Sequence, residues 1–455
     1  MHDAVFALVG LPLLGAALSL AAKALPQERF ARPLEYAGAV IGLALPWLVM
    51  ARTFPLVFAG EAITGSIGGW SAQVGTVFRF DGLAWLVNLL GFSVAGAAWV
   101  YSLGPGPRGP GFTMVFLIQT AALAATSMTT DLFTLFVCLE LMGIASYVLV
   151  ASSQKAGAYL ASFSYLMVSA AAMIFFLFGI YGLYRLTGSL SYVGVQAGLA
   201  ELPDGGGIPA LVSLSIIVGA VAIRVAIMPV YGWLPDAHAL APHAVSAVLS
   251  GVLIKTPLFA LSRILLLMPA GMAAGRLLGY AGALTAVLAV LIALAQKDAK
   301  RLLAYHSVSQ IGYVVAAWGG AIAVGLSTSA GAMLMAGAFF HALYHAFFKG
   351  LLFLSVGTVT DQSRERNVYR LRNGARILRL SGERLPFTLI AFAVGALAIS
   401  AIPPLNGFVS KNVLTYGLKG SWQYLLLAAA GVGTIASFIK LSRIFWPAKE
   451  KTASF

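Results

Sequence analysis

The sequence predicts an all-α polytopic membrane protein with about 13 transmembrane helices, two of them broken by proline. Three observations carry that reading. Of the 455 residues, 60% are hydrophobic and only 10% charged, whereas about a quarter of an ordinary soluble domain is charged. The apolar residues gather in runs of the ~17–25 residues that cross a bilayer. The 49 glycines and 19 prolines are spread along the apolar chain rather than clustered in a polar tract, which excludes disordered, collagen-like and linker-rich architectures.

The first run, 3–22, is read as a span and not a signal peptide, because Met1 to Asp3 lacks a basic segment and no small-residue cleavage site precedes a soluble domain. Runs at 34–52 and 81–103 complete an N-terminal three-helix segment, 1–111. Then come 112–129, 131–151 (opened by Asp131), 160–184 and 209–229. The last of these ends at Pro229, with Tyr231, Gly232, Trp233, Leu234, Pro235 and Asp236 beyond it. Runs at 243–267, 277–295, 301–319 and 328–357 follow. The twelfth, 385–419, is too long for one pass and carries Pro403 and Pro404 before Leu405, Asn406 and Gly407. Such a break is tolerated at membrane depth only where the freed backbone faces protein or water. The thirteenth run is 421–446.

A single cysteine, Cys138, inside an apolar run excludes a disulfide framework, a thiolate-held iron–sulfur cluster and a cysteine zinc knuckle. The net charge of +14 implies no nucleic-acid partner, since no soluble domain exists to carry a basic patch. Alternate loops hold 18 and five Lys and Arg residues. The basic set includes Lys23, Arg108, Lys155, Lys297, seven arginines from Arg364 to Arg384, Arg443, Lys449 and Lys451; the other is Arg52, Arg79, Arg185, Arg276 and Lys419. By the positive-inside rule this puts the N-terminus outside and the C-terminus in the cytoplasm, with anionic lipid attracted to the basic face. The Arg364–Arg384 stretch is a solvated loop, a surface helix or a segment that binds another membrane protein.

Six basic residues remain within or at the edges of spans: Arg224, Lys255, Arg263, Lys349, Lys411 and Lys440. Each costs several kcal/mol unless paired or wet. Glu140 is the acid placed well inside a span, ~14 Å from the Asp131 end. A buried carboxylate with lysines and histidines on other spans has the parts of a proton relay, since burial and neighbouring charge tune proton affinity. The alternative is a structural ion pair, a poor stability device for one acid facing several cations. His341, His345 and Lys349 are spaced by four, so they share one helical face over ~12 Å. The alternatives to a proton-passing stripe are satisfied core histidines or a zinc pair. Zinc is disfavoured because Ala342 stands where the helical metalloprotease motif has Glu and no further ligand is evident. His238, His243 and His306 are secondary candidates. Lys255, ~18 Å along its helix from His243, lies too deep for easy snorkelling. Lys411 directly follows the proline break. Arg263 and Lys440, near span ends, fit anchoring roles.

Seven segments in order then carry a resemblance: Asp81-Gly-Leu; Asp131-Leu-Phe-Thr-Leu-Phe-Val-Cys-Leu-Glu140-Leu-Met; Trp233-Leu-Pro-Asp-Ala-His238; Ser246-Ala-Val-Leu-Ser-Gly-Val-Leu-Ile-Lys255-Thr; Gln296-Lys-Asp-Ala-Lys-Arg301-Leu-Leu-Ala-Tyr305; His341-Ala-Leu-Tyr-His345-Ala-Phe-Phe-Lys349; and Ile402-Pro-Pro-Leu-Asn-Gly-Phe-Val-Ser-Lys411. From about Asp81 to Trp446 the chain resembles the proton-pumping antiporter-like family shared by respiratory complex I, Mrp-type sodium/proton antiporters and membrane-bound hydrogenases. The resemblance implies two inverted five-helix repeats, 112–267 and 268–455, with the broken seventh and twelfth spans in equivalent positions. It implies that Glu140 works with the residue at 224 and passes protons through Lys255, and that His341, His345, Lys349 and Lys411 complete the route.

Three departures are notable. The family's seventh-span lysine is Arg224 here, and arginine stays charged. Gln310 stands where many relatives have a tenth-span histidine, with His306 one turn earlier. The sequence stops after the thirteenth run, without a fourteenth span or a long lateral helix. The expected function is a proton-translocating subunit of a complex I-like or hydrogenase-like redox-driven pump. The alternatives are an Mrp-type cation/proton antiporter subunit, with Na+ as the exchanged ion, or a membrane partner in inorganic-carbon uptake. No cofactor or metal site is expected in the chain, because no nucleotide loop or cofactor-attachment motif is evident; other membrane subunits would supply any redox chemistry.

Overall fold

The computed structural model describes residues 2–67, 75–265 and 272–448. Lys449, Lys451 and the last residues of the eighth predicted run, 266–267, lie outside them. The chain divides into two compact units. The first takes the described residues of 1–226, 230–233 and 240–271, and the second those of 227–229, 234–239 and 272–455.

The first unit begins with α1 (His2–Ala24), α2 (Glu28–Leu43) and α3 (Leu45–Phe58). The last two meet at Ala44, and together they form one apolar stretch, Glu28–Phe58. A hairpin follows, β1 (Ile63–Ser66) against β2 (Val77–Phe80), with Ile63 opposite Phe80. The all-α expectation missed it, because four-residue strands leave little periodicity between long apolar runs. Phe78 and Phe80 point inward to pack with Val5, Leu8, Met50 and Phe92. α4 (Gly82–Ser102), α5 (Pro110–Met128), α6 (Leu132–Ala151), α7 (Ala156–Thr187), α8 (Tyr192–Glu201) and α9 (Gly207–Arg224) come next. Asp81 and Asp131 start α4 and α6 by accepting from the amides of Ala84 and Thr134, which satisfies an otherwise orphaned donor at each helix start.

After the α9 break comes α10 (Trp233–Leu240), most of it in the second unit. The chain then returns to the first unit with α11 (His243–Val248), a π turn over Leu249–Leu253, and α12 (Thr256–Leu265). The second unit holds α13 (Met272–Ala295), α14 (Ala299–Val324), α15 (Ser329–Ser363), α16 (Gly374–Leu380), α17 (Phe387–Ile399), α18 (Asn406–Gly417) and α19 (Trp422–Ser442).

Twelve helical stretches among the described residues are long and apolar enough to cross a membrane, and each coincides with one of the thirteen predicted runs. The remaining run, 385–419, consists of α17 and α18, of 13 and 12 residues. Neither alone spans ~30 Å of hydrocarbon. Both proline-marked breaks turn at an alanine in the left-handed region, Ala226 with φ 59° and Ala401 with φ 57°. That conformation costs a non-glycine residue about 1–3 kcal/mol.

Candidate functional site

In the first unit, Arg224 ends α9 and is 2% exposed, and its Nη1 lies 3.4 Å from Glu140 Oε1 on α6. Its Nη2 donates to the Leu139 carbonyl at 2.8 Å. The guanidinium therefore binds two consecutive residues of α6, and Gly143 makes the space. A Cβ there would fall 2.7 Å from both Arg224 Nη2 and Tyr147 Oη. An aromatic stack closes the break. Tyr165 lies face to face with Trp233 at 4.0 Å and edge to face with Tyr147 at 4.7 Å. Trp233 Nε1 donates to the Ile223 carbonyl at 2.9 Å, taking up a backbone acceptor at the end of α9. Glu140 itself keeps 28% side-chain exposure.

Lys255 is fully buried in a span whose residues 244–262 are all buried. It sits where the π turn gives way to α12, and its ammonium donates to the Ser250 carbonyl. Pro257, two residues on, has no amide to bond the carbonyl four residues back. The irregular turn thus frees carbonyls beside a lysine that a regular helix would leave without an acceptor. His243 opens α11 in the same unit, half-buried.

In the second unit, His341, His345 and Lys349 form one buried stripe on α15. The two imidazoles stack at 6.1 Å, 12° from parallel. His341 Nε2 bonds Gln310 Oε1 and its Nδ1 bonds Ser410 Oγ, each at 3.0 Å. Lys349 donates to the Leu303 carbonyl and lies 4.8 Å from the Phe353 ring. His238, with Nδ1 3.0 Å from the Leu234 carbonyl, has its ring 6.2 Å from the same Phe353. Lys411 donates to the Ile399 carbonyl at 2.8 Å and sits 4.7 Å over the Tyr313 ring. Ile399 ends α17, so the break supplies an acceptor that no helix amide uses. Gly407 permits this geometry, since a Cβ there would collide with the Ala398 carbonyl. His306 is buried against Phe438, ring centroids 5.0 Å apart, and neither of its nitrogens has a hydrogen-bond partner among the described residues.

Other charged residues hold the frame. Arg263 bonds both oxygens of Asp81 at 3.0 and 3.1 Å, so it ties α12 to the start of α4. Lys440 donates to the carbonyls of Leu294 and Gln296 at the end of α13, a cation at a helix C-terminus. Both residues, near span ends, tie helices together within the chain. Asp236 pairs with Arg301, and Asp298 with Arg366 at 2.9 Å. Arg366 also donates to the Ala239 carbonyl, so the beginning of the arginine-rich stretch is docked within the chain. Among the described residues, no group of three or more His, Cys, Asp or Glu is placed to hold a metal.

One acid escaped the sequence reading, which set Glu140 apart as the acid well inside a span. Glu35 on α2 is 4% exposed and accepts from Thr113 Oγ1 at 2.6 Å, while Trp99 Nε1 donates to the same hydroxyl at 3.1 Å. The signal was its place at the very start of the second run.

Residues 129–439, which include every residue of this arrangement except Glu35, Asp81, Trp99, Thr113 and Lys440, match the NADH:quinone oxidoreductase/Mrp antiporter transmembrane family. The chain belongs to this family. It is 32% identical over 426 residues to NADH-quinone oxidoreductase subunit N of Desulforudis audaxviator, covering 91% of this chain and 80% of that one. It is 28% identical to a Na(+)/H(+) antiporter subunit of Alkalihalophilus pseudofirmus, over 91% of this chain and 82% of that one. Among solved structures, a chain of the membrane-bound sulfane sulfur reductase, an archaeal respiratory membrane complex, superposes with a TM-score of 0.84 at 26% identity, covering 97% and 88% of the two chains. These relatives are subunits of larger membrane assemblies, and the present family member is likewise a multi-pass membrane protein.

Two residues of the site are set apart by their chemistry. Arg224 pairs with Glu140 through a group that stays protonated. Gln310 takes a direct place in the stripe as the partner of His341.

Proposed function

We propose that this chain is a proton-conducting subunit of a multisubunit complex in the bacterial inner membrane, with its N-terminus outside and its C-terminus in the cytoplasm. Redox partners drive the transfer. The observation that carries this reading is the buried polar line of the second unit, Lys349, His345, His341 with Gln310 and Ser410, and then Lys411. The lysines support it chemically. Lys255, Lys349 and Lys411 each donate to a backbone carbonyl. A carbonyl accepts from an ammonium or a neutral amine alike, so the side chain keeps its place as its proton leaves and returns. A carboxylate partner would instead favour the charged form. In the first unit Arg224 acts as a fixed positive charge beside Glu140, and Lys255 as the titrating station. The left-handed alanines at the two breaks support 112–267 and 268–455 as a pair of inverted repeats.

A second reading, exchange of Na+ or another cation for protons, is favoured by the extent of the match to the Na(+)/H(+) antiporter protein. Proton flux in everted vesicles, with and without sodium, separates the two, because redox-coupled flux ignores sodium. Co-purified quinone-reductase or hydrogenase subunits accompany the first reading and small antiporter subunits the second. In either case Glu140→Gln and Lys255→Ala lower flux by about 10²-fold or more, the scale of losing a positioned proton-transfer group, while assembly is retained. Normal flux in both variants returns these residues to a structural role.

A further inference from the structure

The arginine-rich stretch between α15 and α17 takes no part in the proton stations. Beyond Arg366 it builds a cavity of about 390 Å³ lined by Arg376, Arg379 and Arg384, with Leu378, Pro386 and Leu389 as its apolar wall. None of these three guanidiniums has a hydrogen bond or ion pair among the described residues. Glu383 also borders the cavity, but its carboxylate accepts from the Thr388 amide at 2.6 Å and so serves the start of α17. The cavity keeps an excess of positive charge. Leu380, Leu385 and Phe387 are exposed next to the arginines, a mixture suited to the boundary between water and hydrocarbon.

Leu389 also lines a second cavity of about 530 Å³ between α17 and α19, walled by Phe392, Ala396, Leu397, Ile435 and Ile439. This groove is apolar and follows α17, whose 13 residues cover ~20 Å of axis. That exceeds half of the ~30 Å hydrocarbon thickness, the depth of one leaflet. A free anion would use only the first cavity, and an apolar partner helix only the second. A molecule with an anionic head and a chain uses both.

We propose that the paired cavities hold one anionic phospholipid, with its phosphate on Arg376, Arg379 and Arg384 and an acyl chain in the groove between α17 and α19. The groove reaches Ser400 and Ile402 in the break and Phe438, which packs on His306. The chain of the lipid thereby walls the segment whose Ile399 carbonyl holds Lys411.

Native mass spectrometry of the full-length protein, purified with its partners and loaded with phosphatidylglycerol or phosphatidylcholine, tests the site. Wild type should retain phosphatidylglycerol in preference to phosphatidylcholine. Joint replacement of Arg376, Arg379 and Arg384 by Gln should cut that retention about tenfold or more, with Arg379→Gln alone giving a smaller loss if the triple variant fails to fold. Ala396→Trp, which fills the groove and leaves the arginines intact, should also lower it. Millimolar inorganic phosphate should not displace the lipid. Unchanged retention in the arginine variants overturns the proposal. Displacement by inorganic phosphate with normal binding in Ala396→Trp overturns it in favour of a free-anion site. Loss of a partner protein from the arginine variants, with lipid retention intact, overturns it in favour of a protein–protein contact.

Discussion

His341 Nε2 donates to Gln310 Oε1 at 3.0 Å, so the residue that departs from the expected histidine at 310 is a direct partner of the histidine that remains. On the other side of the ring, Nδ1 lies 3.0 Å from Ser410 Oγ. Both nitrogens are committed to side chains on α14 and α18. The ring's orientation is thereby set by its neighbours, as with second-layer partners of metal-bound histidines.

The first prediction follows from that contact. Gln310→Leu removes the acceptor and leaves a buried N–H, so His341 should lose its fixed orientation and proton flux should fall about 2- to 10-fold, the scale of one hydrogen bond. Gln310→His offers a nitrogen in the same place and should keep most of the flux. Vesicle proton-uptake assays on both variants decide the matter. Equal loss in the two would show that glutamine's shape, and not its acceptor, is what the site requires.

Most of the architecture was legible because burial in a bilayer forces long apolar runs and strict backbone pairing. Spacing by four put His341, His345 and Lys349 on one face, and the prolines marked both breaks. What was hidden depends on contacts far apart in sequence or on backbone detail. The hairpin is too short for periodicity to reveal. The π turn at Lys255 has Pro257 as its only local cue. Gly143 looked like any small residue in an apolar helix, because the guanidinium that needs its space arrives from α9. Glu35 sat at the edge of a run, and its burial depends on Thr113 and Trp99.

Gly143 gives the second prediction. A methyl group at this position would stand 2.7 Å from Arg224 Nη2 and Tyr147 Oη, closer than real Cβ contacts allow. Gly143→Ala should therefore push the guanidinium off α6, with the loss of its bond to the Leu139 carbonyl, worth about 1.5–3 kcal/mol for a charged donor, and reduce flux. Flux and thermal stability of the purified protein should fall together. A variant that loses stability while transporting normally would separate Arg224 packing from transport.

The third prediction concerns orientation. Cys138 is the chain's single cysteine and is buried, so one new cysteine can be read against a silent background. In a Cys138→Ser protein, Ser363→Cys at the end of α15 should react with an impermeant thiol reagent from the cytoplasmic side and not from the periplasm. The reverse pattern would invert every loop assignment made from the Lys and Arg counts.

The last prediction concerns Arg224. Its guanidinium reaches both the Glu140 carboxylate and the Leu139 carbonyl, so it holds charge and position at once. If it acts as a fixed charge, charge should matter more than titratability. Arg224→Lys keeps a cation but loses the planar fork that serves two acceptors, and should preserve a substantial part of the flux near neutral pH. A lysine can release its proton where an arginine cannot, so the Lys variant should lose flux as pH rises while wild type holds its rate. Arg224→Ala removes the counter-charge and leaves Glu140 without its ion-pair partner, so transport should be slow throughout the range. Flux measured against pH in vesicles carrying the three proteins resolves these cases. If the alanine variant pumps like wild type at every pH, Arg224 is a residue solvated by the helix break, and Glu140 works without it.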